Sequence, residues 1–534
     1  MVVMKRGAGN IIALDLPNGS PPSGTPIAST SSSPNRTIAR KSAELARAAL
    51  QDLDAVETEE TEVSQAVAYP STLKLLPETL SNAPSKRIHC TPVHVSSVHS
   101  PLSNESIGSS YRGFINLTIL LLAVNMMRLV IENLTKYGLL LSIPGKYIPL
   151  KDYGSLVVSL LIVLTCVLIA WGSEWLCFLR AQGSITHEDK LRRHSDQSQR
   201  NQKVPLILLR VCALSLIFLN FALLLIFPAW IIWTHAYHPT TGFIALLTSL
   251  TLTMKLVSYH VVNMELRALF TSSEADDKAT LKALYPDCIY PDNLSLSNLL
   301  YFWCAPTLCY QPHYPSLPKI RKIFLAKRLC ECASALVAMY VMIEQYAVPT
   351  VRNSLKSMDE LDWIPLFERV LKLSTTSLYI WLLGFYAFFH SFLNAMAEVL
   401  KFGDRGFYRD WWNARTIDEY WRLWNAPVHF WLKRHVYIPL RKFGFSPLAT
   451  SVFIFFLSAL GHEYLVAVAT HIVQGWALGA MLGQIPLIMF TRWFLSRWPN
   501  SSFGNYFFWV TFCILGMPMC VLFYYRAWII RENF

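Results

Sequence analysis

Long apolar runs fill most of this chain and limit what it can fold into. A transmembrane helix needs about 20 apolar residues, because no water is available inside a bilayer to satisfy the backbone amides. From Phe114 onward we find nine runs that approach or exceed this length. The runs are 114–137, 155–179, 204–232, 242–263, 329–348, 374–397, 448–470, 475–494 and 506–528. The sequence therefore predicts an all-α polytopic membrane protein with about nine transmembrane helices.

The composition supports this class and excludes others. Of the 534 residues, 53% are hydrophobic and only 15% are charged, whereas soluble domains carry roughly 25% charged residues. The apolar fraction also excludes disorder over the whole chain. The net charge of +12 is not gathered in a hydrophilic domain, so we expect no nucleic-acid partner. The 11 cysteines show no zinc-type spacing, and we predict neither a metal site nor a disulfide framework.

The distribution of polar residues predicts the domain organisation and the orientation. Residues 1–110 contain Ser/Thr/Pro-rich segments and no sustained apolar period, which predicts a disordered cytosolic arm before a helical domain at 111–534. Lys and Arg are concentrated in the connections 180–203, 264–328 and 398–447, which the positive-inside rule assigns to the cytosol. Nine crossings then place the N-terminus in the cytosol and the C-terminus on the opposite side.

The connection 398–447 interleaves aromatic and basic residues. Trp421, Trp424, Val428 and Trp431 are spaced three, four and three apart, which predicts one shared helical face. Such a helix is typical of an anchor in the headgroup layer. It also suits a platform on which basic groups meet phosphates and aromatic rings stack on a heterocycle. Composition leaves both interpretations open.

Polar residues inside the apolar runs are more informative, since each is costly in a bilayer unless it is paired or used. His390, Asn394 and Glu398 recur every four residues, which predicts a stripe facing the protein interior or a water-filled cavity. His462 is predicted to lie roughly 21 Å into its helix, given the rise per residue, with Glu463 beside it. A buried neutral imidazole can accept a proton near neutral pH, although a structural hydrogen bond or a proton path also fits such a histidine. As a base, His462 would activate an alcohol.

Three ordered motifs carry a resemblance to a known family. Residues 407–413 read Phe-Tyr-Arg-Asp-Trp-Trp-Asn, residues 424–429 read Trp-Asn-Ala-Pro-Val-His, and residues 462–464 read His-Glu-Tyr. In these motifs the chain resembles the membrane-bound O-acyltransferases, and specifically their diacylglycerol O-acyltransferase branch. The resemblance covers the chain from about residue 110 to the C-terminus.

The resemblance implies an enzyme of the endoplasmic reticulum membrane with a reaction chamber inside the bilayer. Acyl-CoA would enter from the cytosol as a substrate, no cofactor would be needed, and diacylglycerol would enter from the bilayer. His462 would be the catalytic base, Asn425 would orient the reacting groups, and Gln484 would line the chamber. We also expect a homodimer or a homotetramer with its C-terminus in the lumen. Further contacts with substrate are expected from Phe407, Tyr408, Asp410, Trp411, Trp412, Asn413, Trp424, His429, Ser458 and Glu463.

One position departs from the resemblance, and two other functions fit parts of the sequence. Met517 stands where the family pattern has a Gln, which puts one chamber hydrogen bond in doubt. Sterol O-acyltransferases share the 407–413 signature and the histidine, so a sterol ester or wax ester product is the nearest alternative. A non-catalytic transporter with His390 and His462 as a proton relay is more distant, because the sequence shows no internal repeat of the kind that such transporters use.

Overall fold

The computed structural model describes residues 112–532, except 147, 192–198, 237, 273, 361 and 500. Within that part of the chain every regular element is helical, apart from one isolated β-bridge, and the predicted all-α class is confirmed. The arm predicted at 1–110 lies outside the described residues. The chain divides into two units between Met126 and Met127, and of the first unit only the helical stretch 112–126 is described. The contacts reported below belong to the second unit.

The described residues form 18 α-helices, which are joined by turns and by short π- and 3-10-helical segments. The α-helices are α1 (Arg112–Tyr137), α2 (Leu150–Leu191), α3 (Gln199–His235), α4 (Pro239–Thr271), α5 (Ala275–Leu284), α6 (Leu296–Cys304), α7 (Lys322–Met342), α8 (Val348–Asp359), α9 (Trp363–Phe385), α10 (Leu393–Val399), α11 (Ile417–Leu423), α12 (Ala426–Leu432), α13 (Ile438–Lys442), α14 (Pro447–Thr470), α15 (Trp476–Leu482), α16 (Gln484–Arg497), α17 (Phe503–Phe508) and α18 (Met517–Glu532). The π-helical segments are Ile343–Ala347, Tyr386–Phe392, Lys433–Tyr437 and Trp509–Gly516, and the 3-10 turns are Asp292–Leu294 and Trp411–Asn413.

Eight of the helical stretches in the described part are long and apolar enough to cross a membrane. They are Asn116–Tyr137, Leu150–Ser184, Ile207–His235, Pro239–Thr271, Trp363–Val399, Pro447–Thr470, Trp476–Arg497 and Phe503–Arg531. They correspond to eight of the nine predicted runs. The remaining run, 329–348, is helical in α7 and the following π-helical segment, but Glu331 and Glu344 interrupt its apolar character.

A buried ionic cluster holds α2 against α4. Glu174 is almost fully buried, and its carboxylate accepts a hydrogen bond of 2.7 Å from the Arg267 guanidinium and one of 2.6 Å from His260 Nδ1. A carboxylate inside a membrane domain is tolerated when it is paired in this way. Around this cluster the largest apolar core joins α2, α3 and α4 with the segment that contains α6.

The helix that carries His462, α14, packs closely on α3 and α4. A Cβ atom added at Gly242 would lie 3.2 Å from the Cα of Ala469, so the absence of a side chain there permits the approach of α14. Tyr464 donates a hydrogen bond of 2.7 Å to the Leu225 carbonyl of α3. These contacts fix the helical turn on which His462 lies.

Candidate active site

The segment 407–413 divides its side chains between the interior and the surface. Phe407 and Trp411 are each only 2% exposed, whereas Asp410, Trp412 and Asn413 are exposed. The Trp411 ring packs in an aromatic cluster whose members include Trp381, Phe385, Tyr420 and Trp509, at centroid distances of 5.0–6.0 Å. Trp411 therefore supports this segment from behind, and the exposed side chains remain available to a ligand.

Tyr408 belongs to a hydrogen-bonded chain that starts at Arg328. The Arg328 guanidinium donates to His390 Nε2, so the imidazole proton lies on Nδ1 and is donated to the Tyr408 hydroxyl over 2.7 Å. Both ring nitrogens of His390 are engaged. This arrangement ties Tyr408 to α7 and to the π-helical segment that carries His390.

The predicted polar stripe does face the protein interior. The Asn394 side chain donates to the His390 carbonyl over 2.7 Å. Glu398 is fully buried, and its carboxylate lies 2.9 Å from the Arg321 guanidinium and 2.5 Å from that of Arg405. The stripe is therefore held in a network of hydrogen bonds and ion pairs.

The predicted single helical face from Trp421 to Trp431 was wrong. The chain breaks at Asn425, whose side chain caps α12 by accepting a hydrogen bond of 3.3 Å from the Val428 amide. Pro427 within the first turn of α12 also disfavours a helix that continues from α11, because proline has no N–H to donate to the Leu423 carbonyl. α11 and α12 are therefore two short helices that are separated by a capped turn.

The aromatic rings of these two short helices pack into the protein. Trp424 stacks on Tyr420, with the ring planes 8° apart, and Trp431 is buried and donates a hydrogen bond of 2.7 Å to the Met254 carbonyl of α4. His429 lies half-buried on α12, and burial, followed by the charges of Lys433, Arg422 and Arg409, lowers its pKa. Its imidazole is therefore neutral at neutral pH.

A cavity of about 310 Å³ opens beside the segment 407–413. It is lined by residues of the loop 306–315, of the segment 402–407 and of the stretch 427–438. Its lining is mixed, with aromatic and proline rings beside Lys433 and Arg434. Phe407 is the one predicted site residue among its lining, and His462 is not on its wall. Lys433 and Arg434 outnumber the one lining carboxylate, that of Asp404, so the cavity suits a ligand with an anionic part.

The proton on the His462 ring can be assigned from its hydrogen bond. Nδ1 lies 2.8 Å from the carbonyl oxygen of Ser458, which can only accept, so Nδ1 carries the proton. Nε2 then presents a lone pair, and no described residue donates to it. The imidazole is exposed within the chain. Ser458 thus contributes its carbonyl to the site, and His462 is held in the tautomer that a general base requires.

The side chain of Glu463 makes its hydrogen bonds with a different helix from that of His462. Its carboxylate accepts hydrogen bonds from the backbone amides of Gly475, at 2.9 Å, and Leu478, at 3.0 Å. These amides belong to the first turn of α15, where a carboxylate stabilises the helix N-terminus. Gln484 follows at the start of α16 and donates to the Ala480 carbonyl over 3.4 Å. Glu463 therefore positions the helix that leads to Gln484.

Two charged residues inside the spans were missed by the sequence reasoning. Glu174 lies in α2 and forms the ionic cluster described above, and Lys255 lies buried in α4. A charge within an apolar run was the available signal for both. Their partners are far away in the sequence, and the sequence alone does not show them.

These features together define a membrane-embedded enzyme. The chain has many membrane-crossing helices, one of them carries an imidazole that can act as a base, and a cavity with apolar and basic lining lies beside a basic loop. Residues 194–525 match the model of the membrane-bound O-acyltransferase family. The chain belongs to this family, as its motifs predicted.

Several relatives from distant organisms are named as diacylglycerol O-acyltransferases. "Diacylglycerol O-acyltransferase 1B" of Glycine max is 37% identical over 446 residues, which cover 83% of this chain and 82% of the relative. "Diacylglycerol O-acyltransferase 1" of Chlorocebus aethiops is 36% identical over 425 residues, or 79% of this chain and 81% of the relative. The Dictyostelium discoideum protein of that name is 36% identical over 432 residues, or 81% of this chain and 64% of the relative.

Proposed function

We propose that this protein is an acyl-CoA:diacylglycerol O-acyltransferase, which transfers a fatty acyl group from acyl-CoA to the free hydroxyl of diacylglycerol to give triacylglycerol. The observation that carries the proposal is His462, whose Nδ1 proton is held by the Ser458 carbonyl while the Nε2 lone pair stays accessible. The names of the relatives support the choice of diacylglycerol as the acceptor.

The reaction needs one proton acceptor and no covalent intermediate on the enzyme. His462 Nε2 takes the proton of the acceptor hydroxyl as its oxygen attacks the thioester carbonyl. The carbon–sulfur bond then breaks, and the CoA thiolate leaves and recovers a proton from the imidazolium. A chamber that excludes water protects the thioester from hydrolysis. Gln484 would line this chamber, and Asn425 would act by placing α12 beside the 407–413 segment.

The acyl-CoA substrate is proposed to bind along the mixed cavity and the adjacent surface. Lys433 and Arg434 on the cavity wall suit the phosphates of CoA. Asp410, Trp412 and Asn413 are exposed on the neighbouring segment, and an exposed indole such as Trp412 offers a face for the adenine ring. His429 and Trp424 support this surface through α12 and the turn before it. This assignment requires neither a metal nor a cofactor.

The same proposal sets the cellular context. The enzyme would reside in the endoplasmic reticulum membrane as a homodimer or homotetramer, with the N-terminus in the cytosol and the C-terminus in the lumen. This orientation requires that 329–348 cross the membrane in addition to the eight apolar helical stretches. The Lys- and Arg-rich connections support the cytosolic placement of the cavity.

One assay tests the reaction and its acceptor together. Purified full-length protein is given labelled oleoyl-CoA with diacylglycerol, cholesterol and a fatty alcohol in competition, and the products are separated by chromatography. We expect triacylglycerol as the main product. Mainly sterol ester or wax ester would move the assignment to those enzymes. Proton-coupled uptake without acyl-CoA consumption would favour a transporter, against which the two engaged nitrogens of His390 already argue.

A further inference from the structure

A buried lysine in α4 holds the end of a different helix. Lys255 is only 6% exposed, although it lies in the middle of a membrane-crossing helix. Its ammonium group donates to the carbonyl oxygens of Phe302, Trp303 and Ala305 at 2.9, 2.8 and 2.7 Å. An ammonium has three donors and no acceptor, so these bonds satisfy it completely. Among the described residues no carboxylate pairs with it.

The three carbonyls explain how a lysine side chain is accommodated at this buried position. They stand at the C-terminal end of α6, where the last carbonyls of a helix have no partner within it. The negative end of the helix dipole also favours a cation there. An apolar side chain in place of Lys255 would leave the Phe302 and Trp303 carbonyls without the donor that they have now, while the Ala305 carbonyl would still accept from the Thr307 amide. A buried acceptor left without a donor costs more than the loss of the bond alone.

The loop that α6 leads into forms one wall of the cavity of about 310 Å³. This wall is the segment 306–315, which begins one residue after Ala305. It is held at a second point by Ser258, one turn beyond Lys255 on the same face of α4. The Ser258 hydroxyl accepts a hydrogen bond of 2.8 Å from the Tyr310 amide. Lys255 and Ser258 therefore fix both the start and the middle of this wall.

The stretch 427–438, which also lines the cavity, is bonded to the same turn of α4. Trp431 on α12 donates its indole proton to the Met254 carbonyl over 2.7 Å. Its neighbours Pro427, Phe430 and Arg434 line the cavity. The helical turn 254–258 thus bonds to both lining segments, 306–315 and 427–438.

We propose that Lys255 is a positioning residue for acyl-CoA, which holds the lining segment 306–315 in place by anchoring the end of α6. The inference rests on the proposed function, in which this cavity receives the acyl-CoA substrate. Lys255 itself does not touch the ligand. Its loss acts on acyl-CoA recognition, while diacylglycerol, which arrives from the bilayer, is recognised elsewhere.

The test compares the two substrates in a Lys255→Met variant of the full-length protein. Methionine keeps most of the length of the side chain and removes its donors. We expect the KM for oleoyl-CoA to rise about tenfold, which corresponds to about 1.4 kcal/mol, and the KM for diacylglycerol to stay within about twofold. The affinity for a non-hydrolysable oleoyl-CoA thioether, measured in parallel, is expected to fall by the same factor.

Asn220 offers a matched control for the loss of a buried donor. It lies in α3, is 1% exposed and donates to the Cys166 carbonyl over 3.0 Å, and neither residue lines the cavity. Asn220→Leu is expected to lower the melting temperature and to leave both KM values unchanged. A folded Lys255→Met protein with the parent's KM and thioether affinity would overturn the proposal, as would equal shifts of both KM values.

Two further measurements keep the outcome decisive. If Lys255→Met does not fold, Ser258→Ala removes only the acceptor for Tyr310 and should produce a smaller change of the same kind. An unchanged acyl-CoA KM in that variant would count against the proposal. A parent protein that binds the thioether but makes no triacylglycerol would defeat the proposed function while leaving the role of Lys255 testable by binding.

Discussion

The hydrogen bond from His462 Nδ1 to the Ser458 carbonyl decides which ring nitrogen can take a proton. Because Nε2 is left as the acceptor, His462→Ala should remove the base and leave acyl-CoA binding intact. Loss of a positioned general base costs about 10²–10⁴-fold in rate. Turnover number and melting temperature measured on the same purified sample separate this outcome from a folding defect.

A conservative variant separates the loss of the base from the loss of the hydrogen bond at this position. His462→Gln keeps a side-chain donor for the Ser458 carbonyl but has no basic nitrogen, so it should fold like the parent and remain inactive. Substantial triacylglycerol synthesis by both variants would remove His462 from the mechanism.

Asp410 and Trp411 are adjacent in one motif, yet their burial predicts different consequences for substitution. Asp410→Ala changes an exposed side chain, so the free energy of unfolding should change by about 0.5 kcal/mol or less, while the KM for acyl-CoA rises. Trp411→Ala removes a buried ring from an aromatic cluster and should lower the free energy of unfolding by about 3–5 kcal/mol. Thermal unfolding and acyl-CoA kinetics of the two proteins test this contrast, which equal stability losses would contradict.

At the level of single elements, the aromatic loop shows where reasoning from residue spacing failed. The structure joins the 407–413 motif to the turn at Asn425 through the Ala426 amide, which donates to the Phe407 carbonyl over 3.1 Å. Spacing alone suggested one continuous helix, because a periodic pattern does not reveal a break. The cap at Asn425 and the proline at 427 were the local signals that should have taken precedence.

The π-helical segment after α12 predicts a pH dependence of stability. Burial, with a smaller effect of Arg434, lowers the pKa of His435 from 6.5 to about 4. Between these values the unfolded chain binds more protons than the folded one, so stability is complete above about pH 6.5 and declines as the pH falls towards 4. The melting temperature should therefore drop between about pH 7 and about pH 5.

His435→Gln removes the titrating ring and should reduce that drop. His429, whose pKa is also lowered by burial, is present in both proteins, so the difference between their melting curves reports on His435 alone. Parallel curves for parent and variant over this pH range would show that His435 does not titrate differently on folding.

At the scale of the whole molecule, the fold class was predictable because the length of an apolar run is a direct consequence of bilayer thickness. The packing was not. Lys255 and Glu174 find partners 47 to 93 residues away, and such pairings depend on how helices meet in space. The role of Glu463 was obscured for the same reason, since its proximity to His462 in sequence suggested shared chemistry and the fold instead directs it to α15.

The domain organisation predicts that the segment 1–110 is not needed for the chemistry. The proposed catalytic residues lie beyond residue 400, Lys255 and the lining segment 306–315 lie within the helical domain, and the first described helix starts at Arg112. A protein lacking 1–110 should retain triacylglycerol synthesis while its oligomer size or cooperativity changes. Activity assays and light scattering of the truncated and full-length proteins test this, and complete loss of activity in a well-folded truncation would contradict it.

The orientation of the C-terminus depends on the one ambiguous segment, 329–348. Eight crossings place both termini on the same side of the membrane, and a ninth through this segment places the C-terminus in the lumen. Glu331 is paired with Arg328, at 3.1 Å, which reduces the cost of its burial in a bilayer. We therefore expect an N-glycosylation acceptor site appended after Phe534 to be modified in microsomes, whereas the same site appended before Met1 stays unmodified. Modification at neither end would show that 329–348 remains on the cytosolic side and that the membrane domain has eight crossings.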